Sequence, residues 1–136
     1  MASTGKPLPR VDEESRGWFE GLARHELWLE RCGSCGTIRF YPRAVCTVCL
    51  SSEVVWERAS GRGTVYTFTV TYQNQAAGFR DQLPYVFAIV ELAEGVRVVT
   101  NVVDCPPDAV RIGMPVEVVF DDVTPEITLP KFRPVP

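Results

Sequence analysis

Four cysteines form the clearest chemical pattern in this 136-residue chain. They make two C-x-x-C knuckles with ten residues between them. A tight turn in each knuckle directs two thiolates to one point, so four soft ligands meet in tetrahedral geometry. The pattern predicts a structural Zn²⁺ on Cys32, Cys35, Cys46 and Cys49, with iron in a rubredoxin-like site as the rival metal. Because a closed four-thiolate shell leaves no coordination position open, we expect this metal to be structural rather than catalytic.

The remaining polar residues suggest no catalytic group, and we predict no catalytic residue in the chain. His25 is the single histidine, and its place at the end of a predicted helix favours an interaction with the helix dipole. Asp121 and Asp122 are neighbours in sequence, so their side chains diverge on a strand, and we interpret them as a solvated strand end. Cys105 stands alone and is interpreted as a small core residue.

Composition narrows the class of protein. Hydrophobic residues make up 46% of the chain, which is typical of a globular domain. The chain has 14 basic and 17 acidic residues, a net charge of −3, which argues against binding to nucleic-acid phosphates. No apolar stretch approaches the roughly 18 residues of a membrane helix, and the N-terminus does not look like a secretory signal. We therefore predict a soluble, cytoplasmic protein, where cysteines bind metals more often than they form disulfides.

A short amphipathic helix is predicted at residues 13–24, with Asp12 as its cap. Two glycines interrupt it, and each weakens an isolated helix by roughly 1 kcal/mol. The helix must therefore dock through its apolar stripe, formed by Trp18, Phe19 and Leu22. The surface that receives this stripe is either the chain's own domain or a partner protein.

Five strands are predicted after the ribbon, at residues 64–72, 85–92, 96–103, 116–120 and 126–129, and shorter strands at 38–41 and 54–56. Alternation in the first of the five places Tyr66, Phe68 and Tyr72 on the packed face, and Pro130 is expected to end the last strand. Five strands with short turns favour a small OB-fold barrel over a sandwich. The chain is thus predicted to be mainly β: residues 1–30 form a lead-in and helix, 31–58 a zinc ribbon, and 59–136 a five-stranded OB-fold barrel.

Several motifs occur in a recognisable order from residue 12 to the C-terminus. They are the Trp18-Phe19 helix, Tyr41-Pro42-Arg43 within the ribbon, Ser60-Gly61-Arg62-Gly63-Thr64-Val65-Tyr66, Pro84-Tyr85-Val86, Gly113-Met114-Pro115-Val116 and Leu129-Pro130-Lys131-Phe132-Arg133-Pro134. The set resembles the zinc-ribbon/OB-fold, acyl-CoA-associated family long catalogued as domain of unknown function 35. Members have an N-terminal helical segment, a rubredoxin-like ribbon and a C-terminal OB barrel.

The resemblance implies an accessory subunit in a hetero-oligomer with a thiolase-fold protein, which carries most of the chemistry. Some members pair with a thiolase-like lipid-transfer protein to form an aldolase, a C–C lyase of steroid side-chain CoA thioesters, so acyl-CoA is expected as a ligand of the complex. Others bridge a thiolase and a CoA-ester synthase. Some members are fused to a hydratase-like domain, so this chain is expected to be a free-standing member or an excised domain.

Two other function classes stay open. A single-stranded nucleic-acid module is one, because ribbons and OB barrels both occur there, but it needs exposed aromatics and a basic groove. A self-contained enzyme is the other, and it would have to depend on His25, Asp121, Asp122 or a ribbon thiolate.

The loop at residues 73–84 is long for a hairpin connection and carries Phe79 and Arg80 at its middle. We expect this loop and the Trp18-Phe19 helix to contact the thiolase-like partner near the entrance for the CoA thioester. Phe79 would be a buried anchor, and Arg80 would pair with a CoA phosphate or an acidic partner residue. A plain solvated loop is the alternative.

Overall fold

A helix, a three-stranded sheet and a closed five-stranded barrel follow one another in the computed structural model, which describes residues 5–136. The helix is α1, Arg16–Ala23. The strands are β1 Trp28–Cys32, β2 Ile38–Arg39, β3 Val54–Arg58, β4 Arg62–Thr71, β5 Tyr85–Leu92, β6 Arg97–Val102, β7 Pro115–Asp122 and β8 Thr128–Pro134. Short 3₁₀ turns span Arg80–Gln82 and Pro107–Ala109. The first four residues of the predicted lead-in lie outside the described residues.

The topology confirms the predicted fold class. The ribbon sheet has the antiparallel order β2-β1-β3, and the barrel closes in the order β4-β5-β6-β8-β7. The predictions missed β1, the central strand of the ribbon sheet. In the part of the chain that the structure describes, no helix has the length and apolarity needed to cross a membrane.

One cluster of buried apolar side chains runs from the helix through the ribbon into the barrel. Trp18 is 4% exposed and Phe19 is 8% exposed, and they share this cluster with Leu29 of β1 and Phe132 of β8. Hydrophobic burial is the main term that stabilises such a core. The apolar stripe therefore docks on the chain's own domain, which is the first of the two alternatives. The Trp18 and Phe19 rings are buried there.

The helix is shorter than predicted at its N-terminal end. Asp12 does not cap it directly: its Oδ1 accepts hydrogen bonds from the Ser15 N–H at 2.9 Å and the Ser15 hydroxyl at 2.8 Å. These bonds close a turn before the helix, and Ser15 takes the N-cap position. The acidic residues after Asp12 lie in that turn, so the helix begins at Arg16.

The packed face predicted for β4 is wrong at two tyrosines. The pairing of β4 with β5 shifts register between Val65 and Thr67, which leaves Tyr66 between them as a bulge residue. A bulge reverses the inside–outside alternation of a strand. Val65 is therefore buried and Tyr66 is exposed, while Phe68 stays partly buried against the core. Tyr72 is exposed for another reason, because it lies one residue beyond the end of β4.

The last strand is longer than predicted and runs through Pro130. Pro130 lies opposite Phe120 of β7, while β8 pairs with β6 at one position, Val102 with Phe132. The Pro130 carbonyl instead accepts a hydrogen bond from the Thr100 hydroxyl at 3.0 Å. A proline is tolerated where the ladder needs no N–H from it, so it does not end the strand.

Candidate metal centre and barrel groove

The four ribbon cysteines converge on one point. Cys32 ends β1, Cys35 lies in the β1–β2 turn, and the second knuckle lies between β2 and β3. Their Sγ atoms all lie within 4.8 Å of one another, with Cys32–Cys49 at 3.5 Å and Cys35–Cys46 at 3.6 Å. A tetrahedral Zn²⁺ with Zn–S bonds near 2.3 Å requires S–S separations of about 3.8 Å. The donor set and its spacing therefore fit the predicted metal.

Backbone amides favour the thiolate form of the two buried cysteines. The N–H groups of Cys35 and Ser34 point at Cys32 Sγ, both at 3.4 Å, and lower the pKa of that thiol to about 6. The amides of Cys49 and Val48 lower the pKa of Cys46 in the same way. Because the thiolate is the form that binds metals, each knuckle prepares one of its sulfurs for coordination.

A buried ion pair that the sequence pattern did not predict supports the second knuckle. Arg39 Nε donates to Glu30 Oε1 at 2.9 Å across β1 and β2, with both side chains about 5% exposed. The Arg43 N–H also donates to Glu30 Oε1 at 2.9 Å, and its carbonyl accepts from Arg39 Nη2. These bonds fix the chain just before Cys46. Glu30 and Arg39 carry opposite charges on either side of the first knuckle, but the sequence alone does not show that they lie on paired strands.

A groove of about 950 Å³ opens on the barrel. Its walls come from residues 6–8, the loop at 73–84, the start of β5, the end of β6 and the adjoining strands β7 and β8. Lys131 of β8 lines it and donates from Nζ to Asn101 Oδ1 at 2.6 Å. Burial lowers the pKa of Lys131, because desolvation disfavours the charged ammonium.

One of the two predicted loop residues, Phe79, lies at this groove. Phe79 lines it, with its ring centroid 6.1 Å from that of Tyr85 and the Lys6 ammonium 5.0 Å above its ring. Arg80 is exposed and donates from Nε to the Gln75 carbonyl at 2.9 Å. Trp18 instead packs on Phe40 of the ribbon with ring centroids 4.8 Å apart. The structure therefore places Phe79 at the groove, leaves Arg80 on the exposed side of the loop, and buries the helix pair in the core.

His25 joins the helix to the barrel. Its Nε2 lies 3.0 Å and 3.1 Å from the two carboxylate oxygens of Asp122, and its ring stacks on Phe120 at 4.9 Å. The Thr128 hydroxyl donates to Asp122 Oδ1 at 2.6 Å, and it and His25 lower the pKa of Asp122. The side chain thus reaches across to β7 and does not serve the helix dipole as predicted.

Comparison with known proteins identifies the family of this ribbon and barrel. A family model described as "ChsH2, rubredoxin-like zinc ribbon domain" matches residues 19–55, and one described as "ChsH2, C-terminal OB-fold domain" matches residues 56–121. A "DUF35 domain-containing scaffold protein" of Methanocaldococcus jannaschii is 42% identical over 77% of this chain and 74% of that protein. The chain belongs to the DUF35 family. The predicted resemblance is confirmed, and the DUF35 chain has the family's zinc ribbon domain.

Other matches add context for this DUF35 chain. A "Probable enoyl-CoA hydratase alpha subunit" of Thermomonospora curvata is 40% identical over 95% of this chain, which spans only 40% of that protein's length. "Benzoylsuccinyl-CoA thiolase subunit BbsA" of Geobacter metallireducens is 40% identical over half of this chain and 44% of that protein. Among solved structures, a chain of "Ltp2-ChsH2(DUF35) aldolase" superposes with a TM-score of 0.85 at 39% identity. That match covers 93% of this chain and 98% of the other.

Proposed function

We propose that this DUF35 chain is an accessory subunit of a cytoplasmic acyl-CoA-processing complex and that it binds a thiolase-like protein. The observation that carries the proposal is the superposition on a chain of the Ltp2-ChsH2(DUF35) aldolase. The hydratase and thiolase subunits among its relatives support CoA thioesters as the substrate class. An aldolase acting on steroid side-chain CoA thioesters is the favoured complex, with catalysis carried out by the partner.

The ribbon has a structural role in this proposal. Cys32, Cys35, Cys46 and Cys49 would hold Zn²⁺, which supplies a rigid four-thiolate crosslink and no open position for substrate. The crosslink fixes the ends of β1 and β3. Leu29 of β1 is buried in the core, and Trp56 of β3 packs against α1. Metal binding therefore stabilises the packing of the helix against the rest of the chain.

The partner contact is proposed on an apolar strip that begins at the predicted loop. The strip consists of Phe79, Tyr85, Phe87, Ile89 and Val99. The three β5 residues alternate onto one face, Ile89 lies opposite Val99 of β6, and Phe79 contacts Tyr85. Phe87 is 44% exposed and Val99 is 58% exposed. Covering such an uncharged, partly aromatic surface is favourable, and aromatic residues often dominate interface energetics.

The strip also bears on the nucleic-acid alternative. Its five residues include no lysine or arginine, whereas single-stranded nucleic acids bind where stacking aromatics lie in a basic groove. Arg97 lies beside the strip, but its Nε is 3.2 Å from a Glu91 carboxylate oxygen, so its charge is balanced. The adjoining groove is not basic either, because its lining has as many aspartates as lysines and arginines. This surface fits a protein better than a phosphate backbone.

The CoA thioester is proposed to enter through the barrel groove, which adjoins the strip at Phe79 and Tyr85. Arg80 lies at the same loop and offers a planar, bidentate guanidinium for a CoA phosphate or an acidic partner residue. The apolar lining then faces the acyl portion of the ligand.

Binding to a thiolase-like protein, such as one encoded near this gene, tests the proposal. The two chains should co-purify when co-expressed, and Phe87→Glu should weaken the complex at least tenfold, because it places a charge in the strip. Ile112→Glu is the matched control: Ile112 is 69% exposed and lies outside the strip. Absence of a complex with the wild-type chain would refute the proposed function. Weakening by the control but not by Phe87→Glu would place the contact on another face.

A further inference from the structure

Lys131 has an unusual position among the chain's basic residues. The chain has two lysines, and the other, Lys6, lies in the lead-in near the loop. Lys131 is partly buried on β8, and its ammonium donates a hydrogen bond to Asn101 Oδ1 at 2.6 Å. A primary amine within a ligand-sized groove is thus kept partly out of water.

The charges around this amine act in opposite directions. Burial is the largest influence and lowers the pKa of Lys131, the Asp121 carboxylate on β7 raises it, and Lys6 lowers it further. Asp104, Asp122 and Arg133 line the same groove. Because burial prevails, a larger share of Lys131 is neutral near pH 8 than for a solvated lysine.

The groove offers apolar surface beside the amine. Val119 is the β7 residue directly opposite Lys131, and Phe120 and Leu129 are further apolar residues of the lining. These side chains can hold an acyl chain beside the amine, which lies on β8 between β6 and β7 of the closed barrel. Holding two reactants together raises the rate of their reaction strongly.

We propose that Lys131 is a self-acylation site that takes the acyl group from a CoA thioester bound in the groove. The ammonium first releases a proton to water. The neutral Nζ then attacks the thioester carbonyl carbon, a C–N bond forms, and the C–S bond breaks. The nitrogen loses its second proton to water, and CoA leaves as a thiolate that is protonated to the thiol. The product is an uncharged acyl-lysine whose amide N–H alone remains to donate to Asn101.

This inference rests on the proposed function for its acyl donor, but it is tested on the full-length free chain. The chain is incubated with acetyl-CoA, digested with a protease that does not cleave at lysine, and followed by mass spectrometry. We expect acetylation of Lys131 to be at least tenfold faster than that of Lys6 at pH 7.5. Lys131→Arg should abolish modification at that position and leave the Lys6 rate unchanged. A Lys131 rate equal to or below that of Lys6 would overturn the proposal.

A charge-matched pair of variants tests the local environment. Asp121→Asn removes the carboxylate that favours the ammonium, so acetylation should speed up severalfold and its pH profile should shift to lower pH. Glu20→Gln removes the same charge from the exposed side of α1 and should change neither. If both variants are acetylated at Lys131 at the same rate and with the same pH profile, the Asp121 carboxylate does not affect the reactivity of the amine. Loss of partner binding would refute the proposed function without altering these rates in the free chain.

Discussion

Cys46 is the most enclosed of the four ribbon thiols, with no exposed surface. We expect Cys46→Ser to lose most of the bound metal and to melt at a clearly lower temperature, because metal-binding energy in such ribbons is folding energy. Elemental analysis of the purified chain and a thermal denaturation curve measure both effects. Cys105→Ser lies outside the cluster and should keep its metal. Unchanged metal content and stability in the Cys46 variant would show that the four thiols do not bind the ion together.

His25 illustrates how one residue can look catalytic and be structural. Its ring is engaged by Asp122 and Phe120 at the junction of helix and barrel, and it does not line the groove. We expect His25→Ala to leave acyl-CoA turnover by the assembled complex within about tenfold of wild type, because removing a general acid or base usually costs a hundredfold or more. Steady-state kinetics on the co-purified complex measure the turnover of wild type and variant. A hundredfold loss would assign His25 a chemical role.

At the scale of elements, two glycines determine how closely α1 can approach the ribbon. A Cβ at Gly17 would lie 2.6 Å from Cζ2 of Trp56, and one at Gly21 would lie 2.5 Å from Cδ1 of Trp28. Alanine improves intrinsic helix stability by about 1 kcal/mol at each site, but overpacking costs about 1–3 kcal/mol. We expect both Gly17→Ala and Gly21→Ala to lower the free energy of unfolding, as measured by urea denaturation.

The matched control for these two substitutions is Glu20→Ala on the exposed side of the same helix. It removes a charged side chain without bringing a methyl group against a tryptophan, so its stability should change by less than either glycine variant. If Gly17→Ala and Gly21→Ala both stabilise the chain, helix propensity outweighs the close approach of the two indole rings.

The sequence was sufficient for the parts of this fold whose pattern is local. Two C-x-x-C knuckles and period-two alternation predict a ribbon followed by a small barrel, and the motif order predicts the family. The bulge at Tyr66 and the passage of β8 through Pro130 depend on the pairing of distant strands. The Glu30–Arg39 pair becomes visible only when β1 and β2 lie side by side. All three features depend on which strands pair, and the local preferences of individual residues do not predict strand pairing.

At the scale of the whole molecule, ribbon and barrel share one core. Trp18 and Leu29 belong to the same buried cluster as Val90 and Phe132. The His25–Asp122 contact adds a polar link between the helix end and β7. The ribbon therefore helps to stabilise the barrel, although the strip proposed for partner contact lies entirely outside the ribbon. In the proposed complex, this shared core would keep the barrel face and the groove rigid where they meet the partner.

Hydrogen exchange of the loop at residues 73–84 tests whether a partner covers the strip. In the free chain we expect its amides to exchange quickly, because the loop is mostly exposed and has few backbone hydrogen bonds, such as Gln82 N–H to the Phe79 carbonyl. When a thiolase-like partner covers the strip from Phe79 to Val99, exchange in the loop and in β5 should slow at least tenfold. Residues 47–50 at the ribbon tip, which also expose apolar side chains at Val48 and Leu50, are the internal control and should be unaffected. Protection of the ribbon tip with no change in the loop would place the partner on the ribbon and leave residues 73–84 as an ordinary solvated connection.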